Sequence, residues 1–503
     1  MKRKIIVLYH RQPYEEVMVN GSTIYRRDAG KPNGIIPLLK GFFSVVPDGM
    51  WIAGSEFADS PSVPVYERID MPEAAAACTL KRVLITKEEL NCFYHKTSKE
   101  GFWPILHSFH ENFDCQKINW ENFVMINKRF AEAALEEADS NTTVWIHDYN
   151  LWLAPYFIRK KAPDVKIAFF LHTPFPGPDI FNVISWREKI IESLLCCNHI
   201  VFSIPRYIEN FIAVAKSVTN ISIKQRKKVT PYFSQSGNAL SEPVVTSKVL
   251  FDNRTVQLDA IPVGTSCARI DQLLKNRRIK SSVSAIRSQF KERILIFAAS
   301  RMDYVKGMDK LLECYSRLLD RRPELEGKVV LSLVAVQPAA GITAYDQFQI
   351  KIRQQVARII SAHGAADWTP VIYSEAALSF EEMVSWFSAT DIMWVPSLRD
   401  GTNLVCKEFL AVKKGGKGVL VLSEFVGAAV ELHEAVLTNP YSYNSMDNAI
   451  DQALEMPVQD QEARNRKLYL KVRHSDVQRW SKRLMDLGGK KLNNHPSFAL
   501  KTS

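Results

Sequence analysis

A chain of 503 residues is too long for one hydrophobic core, and at about 100–200 residues per domain it calls for two domains or more. Hydrophobic residues at 46% and charged residues at 24% exclude a disordered or fibrous chain. Lys plus Arg exceed Asp plus Glu by 65 to 54, but the +11 excess is spread out, with no basic block interleaved by aromatics, so nucleic acid is not an expected partner.

The opening "MKRKIIVLYHRQPYEE" has a basic head and an apolar run of about five residues before His10 and Arg11, with no small-residue cleavage site behind it. It predicts a first β-strand rather than a signal peptide. No apolar run approaches the roughly 18 residues that a membrane span needs, so no membrane partner is expected. Further strands are predicted at "MWIAG", "VWIHD", "VKIAFFLH", "HIVFS" and "VQLDAIPVG", with helical patterns such as "NFVMINKRFAEAALEEAD" between them. Tyr94, Phe102 and Trp103 in "FYHKTSKEGFWPILHSF" suit either the aromatic wall of a sugar site or one buried helix face. His107 and His110 have a spacing that fits a metal, but no Cys or acid cluster completes it. The polar stretch "SIKQRKKVTPYFSQSGNALSEPVVTSK" predicts an extended excursion from the first domain.

After "IPVGTSCARI" (Ile261 to Ile270) the pattern turns to the basic helix "DQLLKNRRIKSSVSAIRSQFKER". That places an N-terminal domain at 1–265 and a C-terminal domain at 266–488. The second domain has predicted strands at "ILIFAAS", "VVLSLVAV", "DIMWVPS" and "GVLVLSE", then one last long helix, "RKLYLKVRHSDVQRWSKRLMDL". The tail 489–503 reads as disordered. Eight scattered cysteines with no C-x-x-C pair point to a reducing cytoplasm and away from a zinc ribbon.

Continuous apolar strands alternating with helices imply parallel sheets covered on both faces, here two doubly wound α/β domains. Ligands of such sheets bind beyond the carboxyl ends of the strands. Polar residues stand there in order: His147 and Asp148, His172 in the proline-stiffened "HTPFPGP", Arg301 and Lys306 in "SRMDYVKG", and Asp400 and Gly401 in "SLRDGTNLVCKEFL". Four such loops predict one cleft. Arg301 can bind a diphosphate bidentately and Lys306 adds a point charge. The helix start at Asp400, Gly401, Thr402 and Asn403 adds backbone donors and a favourable dipole, and Glu408 follows in the second turn. Each element alone also reads as an ordinary helix cap or a basic surface loop. No G-x-x-x-x-G-K-[ST], G-x-S-x-G or G-x-G-x-x-G is present. What remains is a cleft for a sugar nucleotide.

The motifs "RMDYVKG", "HDYNLWLAP", "FFLHTPFP", "WREKIIESLL", "LRDGTNLVCKEF" and "GVLVLSEFVGAAVEL" resemble, in order, the trehalose-phosphate synthase family of retaining glycosyltransferases. The likeness runs from about residue 4 to about residue 485. Within that family, "VLYHRQPYEEV", "FWPILHSF", "IPRYIENFIAVA" and "VLTNPYSYNSMDNAIDQAL" resemble the glucosylglycerol-phosphate synthase branch. The resemblance implies two Rossmann-like domains facing across a cleft, the GT-B architecture. It implies transfer of glucose from ADP-glucose to sn-glycerol 3-phosphate with retention, and neither cofactor nor metal. Arg301 and Lys306 would hold the donor diphosphate, with the backbone of Gly401, Thr402, Asn403 and Leu404. Asp400 and Glu408 would hold glucose hydroxyls, and His172 would lie beside the reacting sugar. Arg11, Asn33, Gly34, Tyr94, Trp103 and Asp148 would fall on the acceptor side. A homo-oligomer stays open. Thr402 stands where the family usually has Met or Leu, and Ser203 where His is expected. The competing readings are a trehalose-phosphate synthase using glucose 6-phosphate and a catalytically silent paralogue; the complete set Arg301, Lys306, Asp400 and Glu408 argues against silence.

Overall fold

The computed structural model describes residues 4–19, 22–26, 34–43, 46, 49–57, 66–71, 76–337 and 343–487. Two large sheets organise them. The first has ten strands in the order Ser222–Lys228, Val244–Phe251, Arg254–Ala260, His199–Phe202, Lys166–Leu171, Thr142–His147, Lys4–Leu8, Met50–Phe57, Ala76–Thr86 and Tyr66–Met71. The seven strands from Arg254–Ala260 to Ala76–Thr86 pair in parallel, and antiparallel strands flank them. The second sheet is parallel throughout, in the order Val371–Ser374, Val329–Val336, Ile294–Arg301, Ile392–Val395, Val419–Ser423, Val436–Thr438.

In chain order the second sheet reads 3-2-1-4-5-6, the doubly wound pattern whose direction reverses between its first and fourth strands. The parallel core of the first sheet reverses in the same way, between Lys4–Leu8 and Thr142–His147. At such a reversal the following loops splay apart and leave a crevice. The four loops concerned begin after Leu8, His147, Arg301 and Val395. Burial on both faces explains why these strands read as unbroken apolar runs. All eight residues of Val329–Val336 are buried; Leu333 and Ala335 join one core, Val334 and Val336 the other.

The final segment departs from the single long helix expected. One helix spans Val458–His474 and another Val477–Leu487. The break lies where the carbonyl of Ser475 passes Gly264 so closely that a Cβ there would stand 1.6 Å from its oxygen. Asp476 then restarts the helix, its carboxylate accepting from the Arg479 N–H at 3.0 Å. The second helix returns to the first sheet: Val477, Trp480 and Leu484 join the core that holds Trp145 and Phe170, with Trp480 5.5 Å from each ring. The polar excursion forms the antiparallel strands Ser222–Lys228 and Val244–Phe251. Its connection touches the second domain, Asn238 donating to the Ala429 carbonyl at 3.0 Å. The tail expected at 489–503 lies outside the described residues.

A buried ion pair ties the domain junction. Lys407 and Glu431, 1% and 2% exposed, face each other; Lys407 also donates to the Val263 carbonyl at 2.6 Å, and Ser475 donates to Glu431 at 3.1 Å. Glu431→Ala leaves the ammonium buried with a single neutral acceptor. We expect it to cost about 3–5 kcal/mol of stability, read from denaturant unfolding, whereas removing both charges in Lys407→Met/Glu431→Leu should cost far less.

Candidate active site

The loops of the second sheet are locked to one another. Lys306 ends a short turn after Ile294–Arg301, and Gly307 follows at φ 66°, a left-handed conformation in which a Cβ would meet the Pro396 carbonyl oxygen at 2.2 Å. The backbone N–H groups of Leu398 and Arg399 both donate to the Val305 carbonyl, at 2.8 and 3.3 Å. This register delivers Lys306 to Asp400, Nζ to Oδ2 at 2.7 Å. Asn403 donates to the same oxygen at 3.1 Å while its side-chain Oδ1 caps the helix Leu404–Lys413 by accepting from the Cys406 N–H. Burial would push the Asp400 carboxyl up, but Lys306 and Asn403 hold it below its ordinary value. The carboxylate is therefore ionised and oriented at neutral pH.

Glu408 stands in the second turn of that helix. Burial pushes its carboxyl up to about 8, tempered by Arg269. Arg301 lies 3.9 Å from the buried Asp303 carboxylate and over Trp103, its guanidinium carbon 5.4 Å from the ring centre.

The first domain meets this cradle directly. Gly401 lies against the loop after Lys166–Leu171, where a Cβ would stand 2.0 Å from the His172 carbonyl oxygen. Only glycine permits that approach. Ser203 donates to the Gly401 carbonyl at 2.8 Å and Tyr207 to that of Asp400 at 3.4 Å. Serine at the position expected to hold histidine thus bonds across the cleft. Gly34 also reaches across, with Leu404 in contact range of a Cβ built there, at 3.3 Å.

His172 is buried and its Nε2 lies 3.0 Å from Nδ1 of His147. Burial holds the His172 imidazole down at about 3, so it is neutral at physiological pH. Its backbone N–H reaches the Asp148 carboxylate at 3.4 Å. Asp148 occupies φ 70°, uncommon for a non-glycine residue, and burial pushes its carboxyl up to about 6 despite the N–H groups of Tyr149 and His172.

The structure brings Lys306, Asp400 and Asn403 together, sets Gly401 against the His172 carbonyl and Gly34 against Leu404, and joins His172 to Asp148. Arg301 lies over Trp103, and Tyr94 and Arg11 gather with Trp103 about Lys99, while Thr402 and Leu404 follow in the chain and Glu408, within the helix, has Arg269 as its charged neighbour. Asn33 lies outside the described residues. His107 turns inward onto the Trp103 carbonyl at 2.9 Å while His110 is exposed, so the pair does not converge. Three site features escape the sequence reading: Tyr207, the His147–His172 pair as a hydrogen-bonded unit, and Lys99, buried against Trp103.

The profile of glycosyltransferase family 20 matches residues 3–487. The glucosylglycerol-phosphate synthase of Synechocystis sp. is 44% identical over 485 residues, 96% of this chain and 97% of that protein. The trehalose-6-phosphate synthase of Mycolicibacterium gilvum is 32% identical, over 96% of this chain and 93% of that protein. Among solved structures, a trehalose-phosphate synthase from Burkholderia xenovorans in complex with glucose-6-phosphate superposes with a TM-score of 0.83 at 24% identity, over 97% of this chain and 100% of that one, a likeness of fold. With two facing Rossmann-like domains and a family match across almost its whole length, the chain belongs to glycosyltransferase family 20.

Proposed function

We propose that the chain is a retaining glucosyltransferase that moves glucose from ADP-glucose to sn-glycerol 3-phosphate, giving glucosylglycerol phosphate and ADP for the compatible solute glucosylglycerol. The observation that carries this reading is the 44% identity to a glucosylglycerol-phosphate synthase over 96% of the chain, against 32% to a trehalose-6-phosphate synthase over the same share. In this reading the first domain takes the acceptor and the second the nucleotide sugar. Arg301, Lys306 and the backbone from Gly401 to Leu404 neutralise the departing diphosphate. Asp400 and Glu408 hold sugar hydroxyls, and neutral His172 hydrogen-bonds beside the reacting carbon. Arg11, Asn33, Gly34, Tyr94, Trp103 and Asp148 receive the acceptor.

The Asp400 carboxylate is already engaged by Lys306 and Asn403, which suits a hydroxyl acceptor better than a nucleophile. Retention then proceeds on one face of the sugar. The C–O bond to the diphosphate breaks as the acceptor oxygen bonds the anomeric carbon, and the leaving phosphate oxygen takes the acceptor proton. The protein supplies position and charge. All eight cysteines are free thiols, and among the described residues no helix is long and apolar enough to cross a membrane. Both suit a cytoplasmic site of action.

The test is product formation from ADP-glucose and sn-glycerol 3-phosphate, with the anomeric configuration read by NMR; an inverted product or none would refute the reading. Because side-chain cations here do what a metal does in other transferases, exhaustive chelation should leave most of the activity. Loss restored only by a divalent ion would count against it.

A further inference from the structure

The helical stretch Asn91–Phe102 carries a lysine that the donor cradle does not use. Lys99 is only 8% exposed, yet no carboxylate among the described residues pairs with its ammonium; Asp303 and Asp148 act on it from farther off. What it touches is aromatic: Nζ lies 3.6 Å from the centre of the Trp103 ring and 5.7 Å from that of Tyr94. Arg301 rests on the same indole. Burial first, and Arg301 second, push Lys99 well below the usual lysine value. Cation–π contact offsets only part of the cost of desolvating an ammonium.

Other polar atoms wait in the same place. His10 is 8% exposed and neither ring nitrogen has a hydrogen-bond partner; its ring stacks on Tyr94 at 5.3 Å. Burial, then the charges of Arg11 and Lys99, hold it neutral. The indole N–H of Trp103 is likewise buried and unpaired. Buried polar groups normally have partners, and here an ammonium without a carboxylate partner and an imidazole without a hydrogen-bond partner converge on the rings of Tyr94 and Trp103.

An ammonium, a neutral imidazole and an indole N–H ask for a compact anion that also carries hydroxyls. We propose that Lys99 takes the phosphate of the acceptor, with Arg11 beside it, and so selects a short phosphomonoester. The proposal rests on the reading of sn-glycerol 3-phosphate as acceptor. A dianion between these cations converts their mutual repulsion into shared attraction and gives Lys99 the charge-assisted partner it lacks. Lys99 is a specificity residue in this account; the reacting atoms lie elsewhere.

The experiment measures kcat/KM of the full-length protein for sn-glycerol 3-phosphate and for unphosphorylated glycerol at one ADP-glucose concentration, together with KM for ADP-glucose. In Lys99→Met the ratio of the two acceptors should fall by about 10- to 100-fold, chiefly through KM for sn-glycerol 3-phosphate, and Lys99→Arg should recover part of it. KM for ADP-glucose should stay within about two-fold. An unchanged ratio, or an equal rise in both KM values, overturns the proposal. Lys99→Gln gives the same reading should the Met variant not fold. Failure of the acceptor reading shows separately, as a preference of the unmodified protein for glucose 6-phosphate. The ratio is then taken for glucose 6-phosphate against glucose, and an unchanged value in Lys99→Met again overturns the role of Lys99.

Discussion

Lys306→Ala and Arg301→Ala should each lower turnover by roughly 10²-fold or more at saturating substrate, the scale of losing one charge-stabilising donor. The two losses should differ in their pH dependence. Lys306 contacts Asp400 at 2.7 Å and offsets the burial that would otherwise raise its carboxyl. Without the ammonium, burial is opposed chiefly by Asn403, so the Asp400 pKa rises and the acidic limb of the rate profile moves to higher pH in Lys306→Ala. Arg301 lies near Asp303 rather than Asp400 and should leave that limb in place. Lys306→Arg keeps the charge but changes the geometry against Asp400 and should recover the limb better than the rate. Near-normal turnover in both alanine variants would remove these residues from the cradle.

The parts of this cradle that follow long buried strands were legible in the sequence, because burial on both faces leaves little but apolar residues until the strand ends. "ILIFAAS" and "DIMWVPS" announce the loops at Arg301 and Asp400 for that reason. Strands held by neighbours rather than by their own composition were not legible: Val436–Thr438 has three residues, and Glu15–Val19 is set by its antiparallel pairing with Ser22–Arg26. The break at Ser475 escaped because helical spacing runs on through "VRHSDVQRW", while the reason to turn lies in Gly264 and in the first-domain core that receives Trp480. Lys99 escaped for a geometric reason. The stretch Asn91–Phe102 is wound as a π-helix, closed by the Trp103 N–H on the Ser98 carbonyl five residues back. A period of 3.6 therefore misassigns its inner face, where Lys99 is buried. The contacts across the cleft, such as Ser203 with Gly401, depend on how the two domains pack and leave no periodic trace in either.

sn-Glycerol 3-phosphate should be preferred over glucose 6-phosphate by at least about 2–3 kcal/mol in kcat/KM, the scale of one charge-assisted hydrogen bond. The family resemblance implies that trehalose-phosphate synthases place an arginine just after the strand equivalent to Val329–Val336 to grip the hexose phosphate. Here Val336 lies opposite Arg301 in the register, so the chain emerges beside the cleft, and it continues as Gln337, Pro338, Ala339, Ala340 and Gly341 without a cation. Residues 338–341 lie outside the described residues. Gln337 is engaged by an acid, its amide donating to Glu375. Arg353 is committed to the same carboxylate, through two contacts of 2.6 Å, and holds it down at about 2. A hexose phosphate would thus carry its dianion toward an amide and an ionised acid, and an unpaired charge costs binding. A three-carbon phosphate is shorter and delivers its charge nearer Arg11 and Lys99. The measurement is kcat/KM for both acceptors at one fixed ADP-glucose concentration, with Arg11→Ala expected to weaken sn-glycerol 3-phosphate more than ADP-glucose. Equal or better use of glucose 6-phosphate would mean that its phosphate finds a cation elsewhere in the cleft, and the trehalose reading would then replace the glucosylglycerol one.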